Sequence, residues 1–132
     1  MSSALRATLG GTLAVMREEA PGAYGRLCLR LGEVTARLSV DAETVSLSCD
    51  GAVVDVDDRP ADPRVTIRTD RATLLDLAAA RASLVDTILD DRLFARAALP
   101  DLVAVEEALV VYLCWAIRNP RARALLRRYR DT

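Results

Sequence analysis

The segment at residues 99–117, LPDLVAVEEALVVYLCWAI, constrains the fold more than any other part of this chain. Wound as a helix, it is apolar almost all the way round. At about 100° per residue, Val105, Ala108, Leu109, Tyr112, Trp115 and Ala116 form one broad stripe. Val103, Val110, Cys114 and Ile117 form a second, interrupted only by Glu106 and Glu107. A helix with two apolar faces needs two apolar partners. A sheet supplies one. The other is a second helix, a second subunit or a hydrophobic ligand, and no catalytic motif chooses among them.

The 132 residues suit a single domain over residues 1–132, large enough to bury one core. Hydrophobic residues make up 52% of the chain, so apolar surface has to be hidden somewhere. The net charge of −1 argues against a general polyanion binder, and no nucleic-acid partner is expected. All 18 basic residues are arginine, so a single arginine carries little information by itself. There is no histidine, and Cys28, Cys49 and Cys114 lack CxxC spacing. That inventory excludes zinc sites, imidazole acid–base chemistry and histidine-dependent triads. The thiols read as small apolar fillers in a reducing cytoplasm. MSSALRATLGGTLAVM has neither a basic leader nor a signal-type cleavage site, and residues 108–117 are too short a run to span a bilayer. A cytoplasmic protein without metal or cofactor is expected.

Ser2 or Ser3 is placed to cap a first helix running to about Glu19, with Leu5, Leu9, Thr12, Leu13 and Met16 on one face. Gly10 and Gly11 inside it mark either a close approach to a neighbour or a kink. Pro21-Gly22 ends it. Leu27, Leu29 and Leu31 then alternate with Arg26, Cys28 and Arg30, which predicts a strand. Val34, Ala36, Leu38 and Val40 predict another, and Val45, Leu47 and Cys49 a third. Asp50-Gly51 is a two-residue hairpin signal before a strand over residues 52–57. An acidic connection with Pro60 and Pro63 leads to Val65, Ile67 and Thr69. One apolar and one polar face per strand describes a mostly antiparallel sheet covered on one side.

The period becomes 3.6 at Asp70, a good N-cap, with Leu74, Leu75, Leu77 and Ala78 facing inward. Ser83 is placed to cap a helix carrying Leu84, Val85, Ile88 and Leu89. Residues 92–96 read as a short strand. The apolar helix follows Pro100, and Asn119-Pro120 starts a last amphipathic helix.

This order of elements resembles the sterol carrier protein type 2 lipid-binding family, in its small stand-alone bacterial form. The carrying segments are ADPRVTIRTDRATLLDLAAARASLVDTILDDRLFARAAL, the long apolar helix and the terminal RNPRARALLRRY. The resemblance covers nearly the whole chain and is best from Ala61 onward. It implies an α+β fold, a mostly antiparallel five-stranded sheet with helices packed on one face and a tunnel for lipids between them. The chain departs from the family pattern where members usually have glycine, near Ala80 and at Asp91, and at Ala97-Ala98, where a Gly-Asp-like turn is frequent. Glycines at tight turns free the backbone, so tunnel width and ligand identity do not transfer with the fold.

The expected function is binding of a hydrophobic small molecule (lipid, fatty acyl, sterol or isoprenoid-like), with Leu75, Leu84, Ile88, Val105, Leu109, Tyr112 and Trp115 as ligand-binding wall residues. Affinity would come from apolar burial at about 25 cal/mol per Å² before ordering costs. One alternative is an isomerase or cyclase of the same shape, with Glu106, Tyr112 or an acidic strand residue as acid or base. Helical geometry favours an exposed Glu106. Another is a non-binding domain whose Val103/Val110/Ile117 stripe is a homodimer surface. Asp50, Asp55, Asp57, Asp58 and Asp62 lack EF-hand spacing, so no calcium site is expected. Residues 118–132 hold six arginines and one aspartate, a net of +5. Their helix either rests weakly on an anionic membrane surface or docks Leu125, Leu126 and Tyr129 on the core, and simple docking is the favoured reading.

Overall fold

The structure, a computed structural model, describes residues 4–57 and 62–132. The chain runs through helices α1 (Ala4–Glu19) and α2 (Pro21–Leu31), then strands β1 (Ala36–Val40), β2 (Glu43–Cys49), β3 (Val54–Asp57) and β4 (Val65–Thr69). Helices α3 (Arg71–Ala78) and α4 (Leu84–Leu89), strand β5 (Leu93–Ala97), and helices α5 (Leu99–Ala116) and α6 (Pro120–Arg130) complete it. The expected caps Ser2 and Ser3, and Asp58 and Pro60 of the acidic connection, lie outside the described residues.

Residues 21–31 correct the reading of Leu27, Leu29 and Leu31 as a strand: they form a helix. Pro21 occupies the first turn, where its missing N–H costs nothing and its fixed φ suits a helix. Tyr24, Leu27, Cys28 and Leu31, at i, i+3, i+4 and i+7, are the buried face, and Leu29 points to solvent. The alternating leucines are compatible with both periods. Gly32, at φ 60°, stops the helix and returns its N–H to the Cys28 carbonyl at 2.9 Å.

The five strands form one sheet in the order β3-β2-β1-β4-β5. Three neighbouring pairs are antiparallel; β1 and β4 are parallel, with Ala36 opposite Val65 and Val40 opposite Thr69. The sheet is therefore mostly antiparallel with one parallel seam at its centre. The two-residue loop falls at Asp41-Ala42, between the paired Val40 and Glu43, with Asp41 at φ 53°. Asp50-Gly51 belongs to a longer turn over residues 50–53, in which Asp50 Oδ1 accepts the amides of Ala52 and Val53. Ala36, Leu38, Val40, Val45, Val65, Ile67 and Leu93 bury the inner face. On the outer face Arg68 lies over the Phe94 ring, 4.6 Å from its centroid.

The helices cover the inner face. Asp70 caps α3 through the Thr73 amide at 2.7 Å, Ser83 caps α4 through Asp86 at 3.0 Å, and Asn119 caps α6 through Ala122 at 3.0 Å. On α3 the buried residues are Thr73 and Leu77; on α4 they are Leu84 and Thr87, while Val85 and Leu89 are exposed. Helix α6 docks against α1, burying Ala122 and Tyr129 and exposing its arginines. Gly11 faces that contact, where a Cβ would sit at van der Waals distance, 3.4 Å, from Leu125 Cδ1; Gly10 faces open space. Both ends of the described chain meet at one ion pair. The Ala4 amide donates to Glu43 Oε1 at 2.9 Å, the Arg71 guanidinium donates to the Thr132 carbonyl at 2.6 Å, and Arg71 and Glu43 are 3.9 Å apart.

Candidate functional site: an apolar cavity beneath helix α5

Helix α5 packs chiefly on α2, with smaller contacts to α1 and α6. The space left between them is a cavity of about 180 Å³. Its floor is the inner face of the sheet, including Leu38, Leu47, Ile67 and Leu93. Leu5, Leu9 and Leu13 of α1, Leu27 and Leu31 of α2, and Leu126 and Tyr129 of α6 close the sides. The wall is almost wholly hydrocarbon, the lining expected where apolar small molecules bind.

Five residues expected on a ligand wall line this cavity together: Leu75, Leu84, Val105, Leu109 and Tyr112. Two do not. Ile88 packs against the core from α4 without reaching the cavity. Trp115 lies beside Ala23 and Arg26 of α2 in a surface groove, its ring 6.2 Å from that of Tyr112. Trp115 is 10 positions beyond Val105, and the α2 helix draws that end of the broad stripe away. The wall residues on α1 and α2 are missing from the expected site: those on α2 because the segment reads as a strand, those on α1 because nothing local marks its leucines as cavity-facing. The 3.6-residue pattern of Tyr24, Leu27, Cys28 and Leu31 is the available signal.

The polar groups at the wall are few. Tyr112 donates to Thr12 Oγ1 at 2.8 Å, and burial pushes its pKa up to about 12. Tyr129 is buried, and among the described residues no group lies in good hydrogen-bond geometry to its hydroxyl, to Arg71 Nε or to Glu43 Oε2. Arg71 stacks over the Tyr129 ring at 4.5 Å, and its guanidinium lies 3.9 Å from Glu43. Burial raises the Tyr129 pKa, and the neighbouring guanidinium opposes that rise. Among the described residues no carboxylate lines the cavity; Glu106 lies half-buried outside it.

Cys28 faces the core of α2, not the arginine-bearing face of a strand. Burial and the adjacent Cys49 thiol push its pKa up to about 12, which leaves no thiolate at neutral pH. Asp76 is half-buried and accepts from Arg92 at 2.7 Å. Among the described residues there is no cluster of potential metal ligands, and no helix is long and apolar enough to cross a membrane.

This chain, a five-stranded sheet covered on one face by helices, has the fold of sterol carrier protein 2 domains. A UbiJ-SCP2 ubiquinone synthesis protein superposes with a TM-score of 0.61 at 16% identity, over 78% of this chain and 93% of its own. The sterol carrier protein domain 2 of Helicoverpa armigera gives 0.59 at 8% identity, over 76% and 80%. A sterol carrier protein 2 crystal structure gives 0.55 at 18% identity, over 81% and 94%. The same fold recurs inside a stereoselective inverting sec-alkylsulfatase from a Pseudomonas species, where this chain spans only 14% of the matched protein's length. No protein-family model matches the chain, and no curated protein sequence does.

Proposed function

We propose that this protein binds a hydrophobic small molecule in the cavity between α5 and the sheet. The observation that carries this reading is the cavity itself: α5, the most apolar helix of the chain, lines it with Val105, Leu109 and Tyr112 opposite the sheet. Close-packed interiors do not leave such a volume unfilled without cost. The ligand class is lipid, fatty acyl, sterol or isoprenoid-like. Likeness to a ubiquinone synthesis protein supports including molecules with isoprenoid tails. Of the acid–base candidates, Tyr112 lines this cavity, and among the described residues no carboxylate does.

The test is a native purification followed by organic extraction and mass spectrometry, with thermal shift against fatty acids, sterols and polyprenols. A bound apolar compound, or a rise in Tm with ligand concentration, is the expected result. Leu109→Trp fills the cavity from the helix side and is expected to abolish the shift while the far-UV spectrum stays the same. A protein that yields no compound and shows no shift across the panel refutes the proposal.

A further inference from the structure

We infer that the outer face of α5 is the contact surface between two copies of this chain, docked antiparallel about Val110. With its inner stripe turned to the cavity and α2, α5 still presents Val103 (41% exposed), Val110 (53%) and Ile117 (38%), with Cys114 exposed between them. Single exposed apolar residues need no explanation, but a continuous stripe along one helix does.

Two features favour a second copy over an unrelated partner. The first is spacing. Val103, Val110 and Ile117 are seven residues apart on either side of the middle one. A two-fold axis across the helix at Val110 therefore sets Val110 on its own counterpart and each outer residue on the other. The second is charge. Glu107 stands on the α2 side of the stripe, half-exposed and 3.6 Å from Arg30. Arg26 and Arg118 flank the same side further along, beside Val110 and Cys114, and among the described residues they pair with no carboxylate. The two-fold operation carries Glu107 alongside Arg26 of the partner subunit, twice per dimer, and sets the two helix dipoles antiparallel.

The inference is independent of whether the cavity holds a ligand. It is tested by disulfide trapping in a Cys114→Ser background, which removes the exposed native thiol. At 1.5 Å per residue, a pair at position 110 meets at the axis, whereas a pair at position 103 is about 21 Å apart, beyond disulfide reach. Val110→Cys is expected to give a crosslinked dimer under mild oxidation and Val103→Cys to stay monomeric. In sedimentation velocity the parent protein is expected to run as a dimer. Val110→Asp, an exposed position that leaves the fold intact by circular dichroism, is expected to run as a monomer. A monomeric parent at tens of micromolar, or equal crosslinking at both positions, overturns the inference. So does co-sedimentation of the parent with phosphatidylglycerol vesicles that Val110→Asp abolishes, since that assigns the face to a lipid surface.

Discussion

Ala80 and Asp91 hold left-handed backbone conformations, with φ of 55° and 57°, at the places where the sterol carrier pattern usually has glycine. Each follows a short helix and closes it in the same way. The Ala80 amide bonds the Leu77 carbonyl and Arg81 the Asp76 carbonyl; Asp91 bonds Ile88 and Arg92 bonds Thr87. That is a Schellman closure, which glycine makes without a Cβ penalty. The backbone thus keeps the geometry the glycines would have allowed, at a cost of about 1–2 kcal/mol for alanine. Ala80→Gly is expected to stabilise the fold by about 1 kcal/mol after the larger unfolded-state entropy of glycine is counted. Asp91→Gly should gain less, because aspartate tolerates this region better. Urea denaturation midpoints compare the two.

Asp70 is a second residue whose role is local and measurable. The Thr73 amide bonded to it holds its carboxyl below the ordinary carboxylate range. The sign follows from linkage. A depressed folded pKa contributes stability above the unfolded value of about 3.9, and that contribution is lost as pH falls through the lower folded value. Asp70→Ala should lose about 1 kcal/mol at pH 7, the usual worth of an N-cap. Asp70→Asn should keep most of that stability and flatten its decline below about pH 4. Denaturation at pH 7 and pH 3 separates the two effects.

At the scale of elements, α1 carries two adjacent glycines with opposite consequences. A Cβ at Gly10 would meet nothing within 4 Å, whereas Gly11 lies under Leu125 of α6. Gly10→Ala should therefore stabilise by about 1 kcal/mol through helix propensity alone. Gly11→Leu should force α1 and α6 apart and destabilise by about 1–3 kcal/mol, the usual range for overpacking. Thermal melts of the pair of variants check both signs. The elements legible in the sequence are those with local punctuation: Asp70, Ser83 and Asn119 all act as the caps their positions imply. Helix α2 reads wrongly because leucine at every second residue satisfies a strand as well as a helix, and only burial shows Leu29 outside. The parallel β1–β4 seam is not legible either, because its partners are 29 residues apart and nothing local encodes the pairing. For the cavity, the residues on α3, α4 and α5 can be read from helical faces. The distance of α5 from the sheet cannot, because it depends on how α1, α2 and α6 prop it.

For the whole molecule, the meeting of both ends of the described chain, Ala4 and Thr132, at the Glu43–Arg71 pair has a consequence for how such a unit is built into longer polypeptides. A polypeptide that enters and leaves a folded unit through one doorway can host it as an insertion, since neither flank has to wrap around the body. The same closeness means that a few added residues would bridge Ala4 to Thr132. New termini opened in the 50–53 turn would then leave every strand pairing in place.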